Sequence, residues 1–211
     1  MKGNLIIISS PSGGGKGTLI KEVRRTLPDI MYSVSYTTRP IRDGEENGHE
    51  YFFVDRAEFE RLIAQNEFLE YAEVHGNLYG TSRAQVEKVM ASGKDVLIEI
   101  DVQGAAILHD KVPDAVSIFI LPPSFPVLRT RLTLRATESS GDLQLRLVNS
   151  FREVGEYERF KYVVVNDDLA KTADDLRTII RAERLKTIRQ SDEIRVILVG
   201  FDASLHQFQG E

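Results

Sequence analysis

The residues with the clearest chemical potential lie near the start of the chain, in Ser10-Pro11-Ser12-Gly13-Gly14-Gly15-Lys16-Gly17-Thr18. Three successive glycines let a backbone curl tightly and turn its N–H groups toward one point. An apolar run, Leu5–Ile8, precedes the segment. A helical pattern follows it, with Leu19, Ile20, Val23 and Leu27 on one face and Pro28 beyond. That helix would direct the positive end of its dipole at the same point. Lys16 adds a mobile cation for terminal phosphates. Strand, glycine turn, lysine and helix in this order make a cradle for a nucleotide polyphosphate. Two positions depart from the GxxxxGK[ST] pattern: Ser10 stands at the first glycine, and Gly17 at the hydroxyl residue that reaches magnesium. Glycine has no side chain to coordinate a metal. Magnesium is therefore expected to be held by phosphates and water, with Thr18 touching phosphate.

A phosphate cradle alone suits a GTPase, an ATPase or a kinase. The next stretch narrows the choice, because it carries Ser35, Arg39, Arg42, Glu45, Tyr51, Glu70, Tyr79 and Thr81. Two arginines three positions apart near a turn can grip one phosphate with paired N–H donors. Tyr51 and Tyr79 can each donate a hydroxyl to the same anion. Glu70 suggests the base that accompanies it. Guanine presents N1–H and the exocyclic N2–H₂ side by side, and one ionised carboxylate accepts both. Adenine carries an acceptor at N1, which the same carboxylate repels. A site with such paired demands rejects the wrong base strongly, since its own groups are left unpaired.

These residues need a frame. Five short apolar runs, Leu5–Ile8, Val96–Ile100, Ser117–Leu121, Tyr162–Val165 and Arg195–Val199, are rich in Val and Ile and barely alternate. That is how strands covered on both faces read, as in a parallel sheet. Helical patterns lie between several of them, including a long amphipathic stretch over Leu169–Gln190. The expected fold is α/β, a parallel-sheet core flanked by helices. Residues 33 to 93 read differently. Ser33–Thr38, Tyr51–Val54 and Phe68–Val74 look like short strands. Asp55 with Glu58 forms an acidic variant of the capping box, and Ser82 caps a helix that ends at Gly93. This stretch is expected to be a small mixed α+β insertion. Leu128 to Phe160 is helical and arginine-rich, with a break at Ser139-Ser140-Gly141.

Composition sets the outer bounds. The 211 residues carry a net charge of −5, with 42% hydrophobic and 28% charged residues. Such values belong to globular proteins and exclude disorder, a collagen repeat or a coiled-coil rod for the whole chain. The absence of cysteine excludes disulfides, thiolate metal sites and a cysteine nucleophile, and suits a cytoplasmic setting. The run Leu5–Ile8 is shorter than the roughly 7–15 residues of a signal-peptide core. No apolar run approaches the ~20 residues that span a bilayer. The acidic balance argues against bulk nucleic-acid or anionic-membrane binding. His49, His75, His109 and His206 are scattered without ligand-like spacing.

Ser10–Thr18, Ser-Tyr-Thr-Thr-Arg-Pro (35–40), Gly-His-Glu-Tyr-Phe-Phe (48–53), Gly-Asn-Leu-Tyr-Gly-Thr (76–81) and Ile-Asp-Val-Gln-Gly-Ala (100–105) together resemble the guanylate kinase family. The resemblance runs from Leu5 to about Arg184 and implies a phosphate-loop nucleoside-monophosphate kinase. Its core would comprise residues 1–32, 94–127 and 161–211, with a GMP-binding insertion at 33–93 and a lid at 128–160. The loop Ser10–Thr18 (Ser10, Pro11, Ser12, Gly13, Gly14, Gly15, Lys16, Gly17, Thr18) would hold ATP, with Asn166 and Asp167 at the adenine edge. Ser35, Glu70, Thr81 and Asp101 would contact guanine. Arg39, Arg42, Tyr51 and Tyr79 would hold the GMP phosphate, with Glu45 supporting the arginines. Glu99 would also belong to the GMP-binding set, and Glu99 and Asp101 would order magnesium through water. Catalysis would rest on Lys16, Arg39, Arg42 and the lid residues Arg131, Arg135 and Arg146. In the lid, Arg135-Ala136-Thr137 departs from the family's Arg-Gly-Thr.

The implied reaction moves the γ-phosphoryl group of ATP to GMP or dGMP. The implied partners are these nucleotides and Mg²⁺, in a cytoplasmic monomer or homo-oligomer. Two rivals stand beside it. One is a kinase for another small phosphate acceptor. The other is a non-catalytic guanylate-kinase-like scaffold that binds phosphopeptides, which would have a degraded loop; here Gly13–Lys16 is whole.

Overall fold

The computed structural model describes residues 2–27, 29–74, 76–134 and 140–209, side chains at 140–142 and 206–209 excepted. The first half runs β1 (Leu5–Ser9), α1 (Lys16–Thr26), β2 (Met31–Tyr32), β3 (Tyr36–Thr37), β4 (Phe52–Phe53), α2 (Arg56–Ala64), β5 (Phe68–Val74), β6 (Asn77–Ser82) and α3 (Arg83–Ala91). The second half runs β7 (Val96–Glu99), α4 (Val102–Lys111), β8 (Val116–Leu121), α5 (Phe125–Leu134), α6 (Ser140–Gly155), β9 (Tyr162–Val165), α7 (Leu169–Arg184) and α8 (Ser191–Gln209).

All five residues of β1 are buried, because its two faces serve two cores. Ile6 and Ile8 pack with Leu19, Ile20 and Val23 of α1 and with Leu176 and Ile180 of α7. Leu5 and Ile7 pack with Val86 of α3 and with Ala105 and Leu108 of α4. A strand covered on both sides gains nothing from alternation, which is why its sequence shows none. The sheet order is β2-β7-β1-β8-β9, with every pairing parallel. The chain steps from one side of β1 to the other between β7 and β8. In such sheets a crevice opens at that point, beyond the carboxyl ends of the strands.

A second, four-stranded sheet has the order β4-β3-β6-β5. Its small core holds Phe59, Phe68 and Leu78. The Phe59 and Phe68 rings stack with centroids 4.5 Å apart. Gly80 makes room for them, since a Cβ there would stand 2.9 Å from Phe68 Cδ1 and 3.0 Å from Phe59 Cζ. Only Ser33–Ser35 separates β2, in the parallel sheet, from β3, in the small one. The small sheet is nonetheless fastened at one end. Leu69 of β5 is buried in the core beneath α4, and Lys111 Nζ of α4 donates to the Leu69 carbonyl at 2.9 Å.

Local signals act as expected in several places. Asp55 Oδ1 accepts from Glu58 N at 2.7 Å at the start of α2, and Ser82 Oγ from Gln85 N at 3.3 Å at the start of α3. Gly93 takes a φ of 82° just beyond α3. One expected strand is overturned: Arg195–Val199 lies inside the 19-residue helix α8. A five-residue apolar run cannot separate strand from helix by period alone. The flanks decide, with Asp192 and Glu193 in the first turn favouring the helix dipole. Of Ser33–Thr38 only Tyr36–Thr37 is strand, in the small sheet, and β6 forms where no strand was expected. The pattern over Leu169–Gln190 ends as a helix at Arg184, with a short 3₁₀ turn over Thr187–Arg189. Ser139 lies outside the described residues, and α6 begins at Ser140. Among the described residues, no helix is long and apolar enough to cross a membrane.

Candidate active site

The loop leaves β1 at Ser10 and enters α1 at Lys16. Gly13 and Gly15 have φ of 83° and 86°, the left-handed region that favours glycine. Space adds to the requirement at Gly13, where a Cβ would stand 2.9 Å from Leu132 Cγ of α5. Gly14 N closes the turn by donating to the Pro11 carbonyl at 2.9 Å. The buried Ser10 donates its hydroxyl to the same carbonyl at 3.1 Å. The Gly14 carbonyl faces outward and accepts from Asn166 Nδ2 at 2.9 Å and from Arg131 Nη1 at 3.4 Å. Arg131 Nη2 in turn donates to the Asn166 carbonyl at 2.9 Å. Asn166 and Arg131 thus clamp the loop from outside. Both line a surface depression with Gly13, Gly15, Thr18 and Asp167. Ser12 N donates to Glu153 Oε2 of α6 at 2.8 Å. At Gly17 a Cβ would meet nothing within 4 Å, so space does not force the missing hydroxyl.

The Lys16 ammonium lies at the carboxyl end of β7. Its Nζ donates to the Ile100 carbonyl at 2.8 Å and stands 3.9 Å from Glu99 Oε1. Lys16 lines a cleft of about 170 Å³ together with Ser35, Tyr51, Glu70, Tyr79, Glu99 and Asp101. The walls therefore come from both sheets and from the loop. Glu70 is only 3% exposed, and its Oε1 accepts from Thr81 Oγ1 at 2.6 Å. Thr81 is fully buried, with its hydroxyl committed to that bond. Burial pushes the Glu70 carboxyl up to about 7, with the Asp101 charge adding and the Thr81 bond opposing. Asp101 caps α4, its Oδ1 accepting from Gly104 N at 2.9 Å. A Cβ on Gly104 would stand 2.7 Å from Glu70 Oε2, so the carboxyl rests against bare helix backbone.

The candidate phosphate grip lies beside this cleft. Glu45 organises it, taking Arg39 Nη2 on Oε1 at 2.7 Å and Arg42 N on Oε2 at 2.9 Å. Burial opposes its ionisation, but the Arg39 guanidinium and the Arg42 amide hold its carboxyl below the usual range. The Arg39 guanidinium lies 5.4 Å from the Tyr51 ring centroid, and the Tyr51 and Tyr79 rings meet edge to face at 5.8 Å. Burial, then the Glu99 charge, raises the Tyr51 phenol far above its usual value, so it stays a neutral donor. Arg42 has an exposed side chain. Arg146 lies half-buried on α6. Arg135, with Ala136 and Thr137, lies outside the described residues, as do His75 and the side chain of His206.

Three residues escaped the sequence reading. The Tyr32 hydroxyl donates to Glu99 Oε2 at 3.4 Å, across the top of the sheet. Gly104 floors the Glu70 site, and Glu153 holds the loop. Gly104 sits in the recognisable stretch Ile100–Ala105, but Tyr32 and Glu153 carry no local signal. Among the described residues, no group of three or more His, Asp or Glu side chains gathers as a metal cage. Magnesium keeps several waters and binds through few carboxylates plus phosphates. It fits here as an ion carried on nucleotide phosphates beside Glu99, whose side chain is 24% exposed in the cleft.

Fold and site together define a phosphate-loop nucleotide-binding protein with a second, base-and-anion pocket opening into the same crevice. The family model described as guanylate kinase matches residues 2–183. Among curated relatives, the guanylate kinase of Nitrosomonas europaea is 49% identical over 197 residues, covering 93% of this chain and 98% of the relative. That of Neisseria meningitidis serogroup A is 53% identical over 189 residues, covering 90% and 92%. A crystal structure of guanylate kinase from Anaplasma phagocytophilum is 39% identical and aligns with a TM-score of 0.75 over 89% of each chain. The chain belongs to the guanylate kinase family.

Proposed function

We propose that the protein transfers the γ-phosphoryl group of ATP to GMP, and to dGMP, giving ADP and GDP. One observation carries the reading most: Lys16 of the phosphate loop lines the same cleft as Glu70, Tyr51 and Tyr79. Donor and acceptor phosphates can therefore meet without crossing solvent. Glu70, with Ser35 and Asp101, selects guanine. Arg39, Arg42, Tyr51 and Tyr79 hold the acceptor phosphate, and Glu45 keeps the arginines in place. The loop Ser10–Thr18 holds the ATP phosphates, with Asn166 and Asp167 at the adenine edge. The acceptor phosphate is already an anion near neutral pH, so no strong base is needed. Catalysis rests on alignment and on charge neutralisation over the transferred group. Lys16, the free amides of the first turn of α1, and Arg131, Arg135 and Arg146 supply that neutralisation. When bound with the nucleotide, Mg²⁺ adds positive charge at the phosphate oxygens, with Glu99 and Asp101 positioned to hold its waters.

In this reading residues 33–93 form the GMP-binding part, 128–160 the lid, and the remainder the ATP-binding core of a cytoplasmic enzyme. The scaffold alternative is not favoured, because Gly13–Lys16 is whole and the Gly14 carbonyl is fixed by Asn166 and Arg131. The test is a coupled assay of ADP formation from ATP with GMP, dGMP, AMP and a ribosyl bisphosphate as acceptors. GMP should be turned over and AMP should not. Preference for AMP, or no turnover with any acceptor despite ATP binding, would overturn the assignment.

A further inference from the structure

The loop's amides are not equivalent. Gly14 N is used within the turn, on Pro11 O at 2.9 Å. Ser12 N is taken by a carboxylate from a distant element, Glu153 Oε2 at 2.8 Å, 141 positions away in sequence. A backbone amide at a loop built for anions is a strong partner for a carboxylate, and the bond is charge-assisted. Glu153 belongs to the last turns of α6, two positions after Phe151, whose ring stacks on Phe125 of α5 at 4.7 Å. One end of α6 is thus fixed both to its partner helix and to the loop. Arg146 lies seven residues earlier on the same helix. Seven residues make almost two full turns, so both side chains share one face, about 10 Å apart along the axis.

We infer that Glu153 is a positioning residue for phosphoryl transfer: its bond to Ser12 N fixes the rotation and height of α6 over the loop, and thereby aims Arg146 at the transferred group. The inference rests on the kinase reading above and adds a residue to it. A rotation of α6 by a single residue step, about 100°, would turn the face shared by Glu153 and Arg146 away from the loop. A carboxylate bonded to the loop backbone blocks such a slip. The neighbouring Phe125–Phe151 stack, being apolar, permits small rotations that a directional hydrogen bond does not.

The test uses the full-length protein and compares Glu153→Ala, Glu153→Gln and Glu153→Asp, each with Arg146→Ala. Misaimed catalytic groups cost up to about a hundredfold, so Glu153→Ala should lower kcat by about tenfold to a hundredfold. The Kd for ATP without GMP should stay within about threefold, because the lost interaction acts in the transition state. Gln keeps an acceptor oxygen at the same reach and should restore most of kcat. Asp is one methylene short and should not. On the Arg146→Ala background, Glu153→Ala should add little further loss, since both act through one group. Unchanged kcat in Glu153→Ala and Glu153→Asp would overturn the inference. So would fully additive losses with Arg146→Ala, or a lower Tm with normal kcat per folded molecule. Markedly tighter ATP binding in Glu153→Ala would also overturn it, because Glu153 would then be a competitor for the phosphate site. Wild-type protein that fails to phosphorylate GMP defeats the kinase reading, and the inference with it. Wild-type turnover with normal variants defeats the inference alone.

Discussion

Thr81 Oγ1 lies 2.6 Å from Glu70 Oε1, and both residues are buried. One carboxylate oxygen is thereby oriented by the Thr81 hydroxyl. The other oxygen faces Gly104, where the absence of a side chain leaves the carboxyl its place. Guanine would meet a rigid acceptor already turned the right way, with its desolvation met during folding and not during binding.

In the proposed reading Glu70 must be ionised to accept from guanine, so a carboxyl pushed up to about 7 ties GMP affinity to pH. Protons compete with the base, so Kd should rise by about tenfold per pH unit once pH falls well below the carboxyl's pKa. The phosphate of GMP also titrates, near about 6. Glu70→Gln retains the phosphate contribution and lacks the carboxyl, so the ratio of the two proteins' Kd values isolates Glu70. A ratio independent of pH would contradict the assignment. Stability should move the other way. The folded value, about 7, is raised above the ordinary 4.5. The protein without ligand therefore gains stability from a neutral Glu70 below 4.5 and loses it progressively as pH rises through about 7. Tm of the wild type should fall relative to Glu70→Gln over that window.

Gly104→Ala places a methyl group 2.7 Å from Glu70 Oε2. Helix propensity alone would favour Ala by up to about 1 kcal/mol. The clash should instead displace the carboxyl, raising KM for GMP by about tenfold or more, the scale of one lost hydrogen bond to a charged group. KM for ATP should be unaffected. Steady-state kinetics with each substrate varied in turn checks both halves.

In the proposed reaction, Lys16→Ala and Arg42→Ala each remove one charge assigned to the transferred or accepting phosphate. Either should slow turnover by about a hundredfold or more, with far-UV circular dichroism unchanged. Normal rates in both would remove the charge-neutralisation account.

Gly17→Ser meets open space in the first turn of α1. The substitution should be tolerated and should raise stability by a few tenths of a kcal/mol, about the propensity difference between the two residues. It also supplies the hydroxyl that the loop lacks. The concentration of Mg²⁺ for half-maximal rate should fall in Gly17→Ser if nucleotide-borne magnesium sits within reach of residue 17.

Asp95 provides a control distant in role. It is 5% exposed, accepts from Asn4 N at 2.7 Å, and pairs with Arg184 Nε at 2.6 Å. Asp95→Ala leaves the buried Asn4 amide unpaired and Arg184 with Asp29 as its remaining carboxylate, costing about 1–3 kcal/mol. Chemical denaturation should show the loss, while kcat per folded molecule stays unchanged.

The parallel sheet was legible because Leu5–Ile8, Val96–Ile100 and Ser117–Leu121 are covered on both faces and read as nearly unbroken apolar runs, while the edge strand Tyr162–Val165 reads the same way although Val163 and Val165 are exposed. The same signature misled at Arg195–Val199. There the exposed helix α8 carries Val196, Val199 and Phe201 at its surface, so burial was the wrong inference from composition. The loop and its glycines were legible because backbone conformation dictates residue type there. Ser35, Glu70, Tyr51, Tyr79, Glu99 and Asp101 could be named, but their meeting in one cleft follows from two sheets packing together, which no local pattern encodes. Tyr32 and Glu153 were invisible for the same reason: each acts through a partner 67 or 141 positions away.

The short link at Ser33–Ser35, set against Leu69 locked beneath α4, gives the small sheet the mechanics of a jaw. Its strands pair only with one another, so a swing of the jaw as a piece need not break a strand pairing. The pivot must lie near Glu70, where β5 is anchored, and the free tip near Arg39 and Arg42. In the proposed kinase reading, a mononucleotide would seat its base first, at the axle, and the arginines would carry its phosphate toward Lys16 as the jaw shuts.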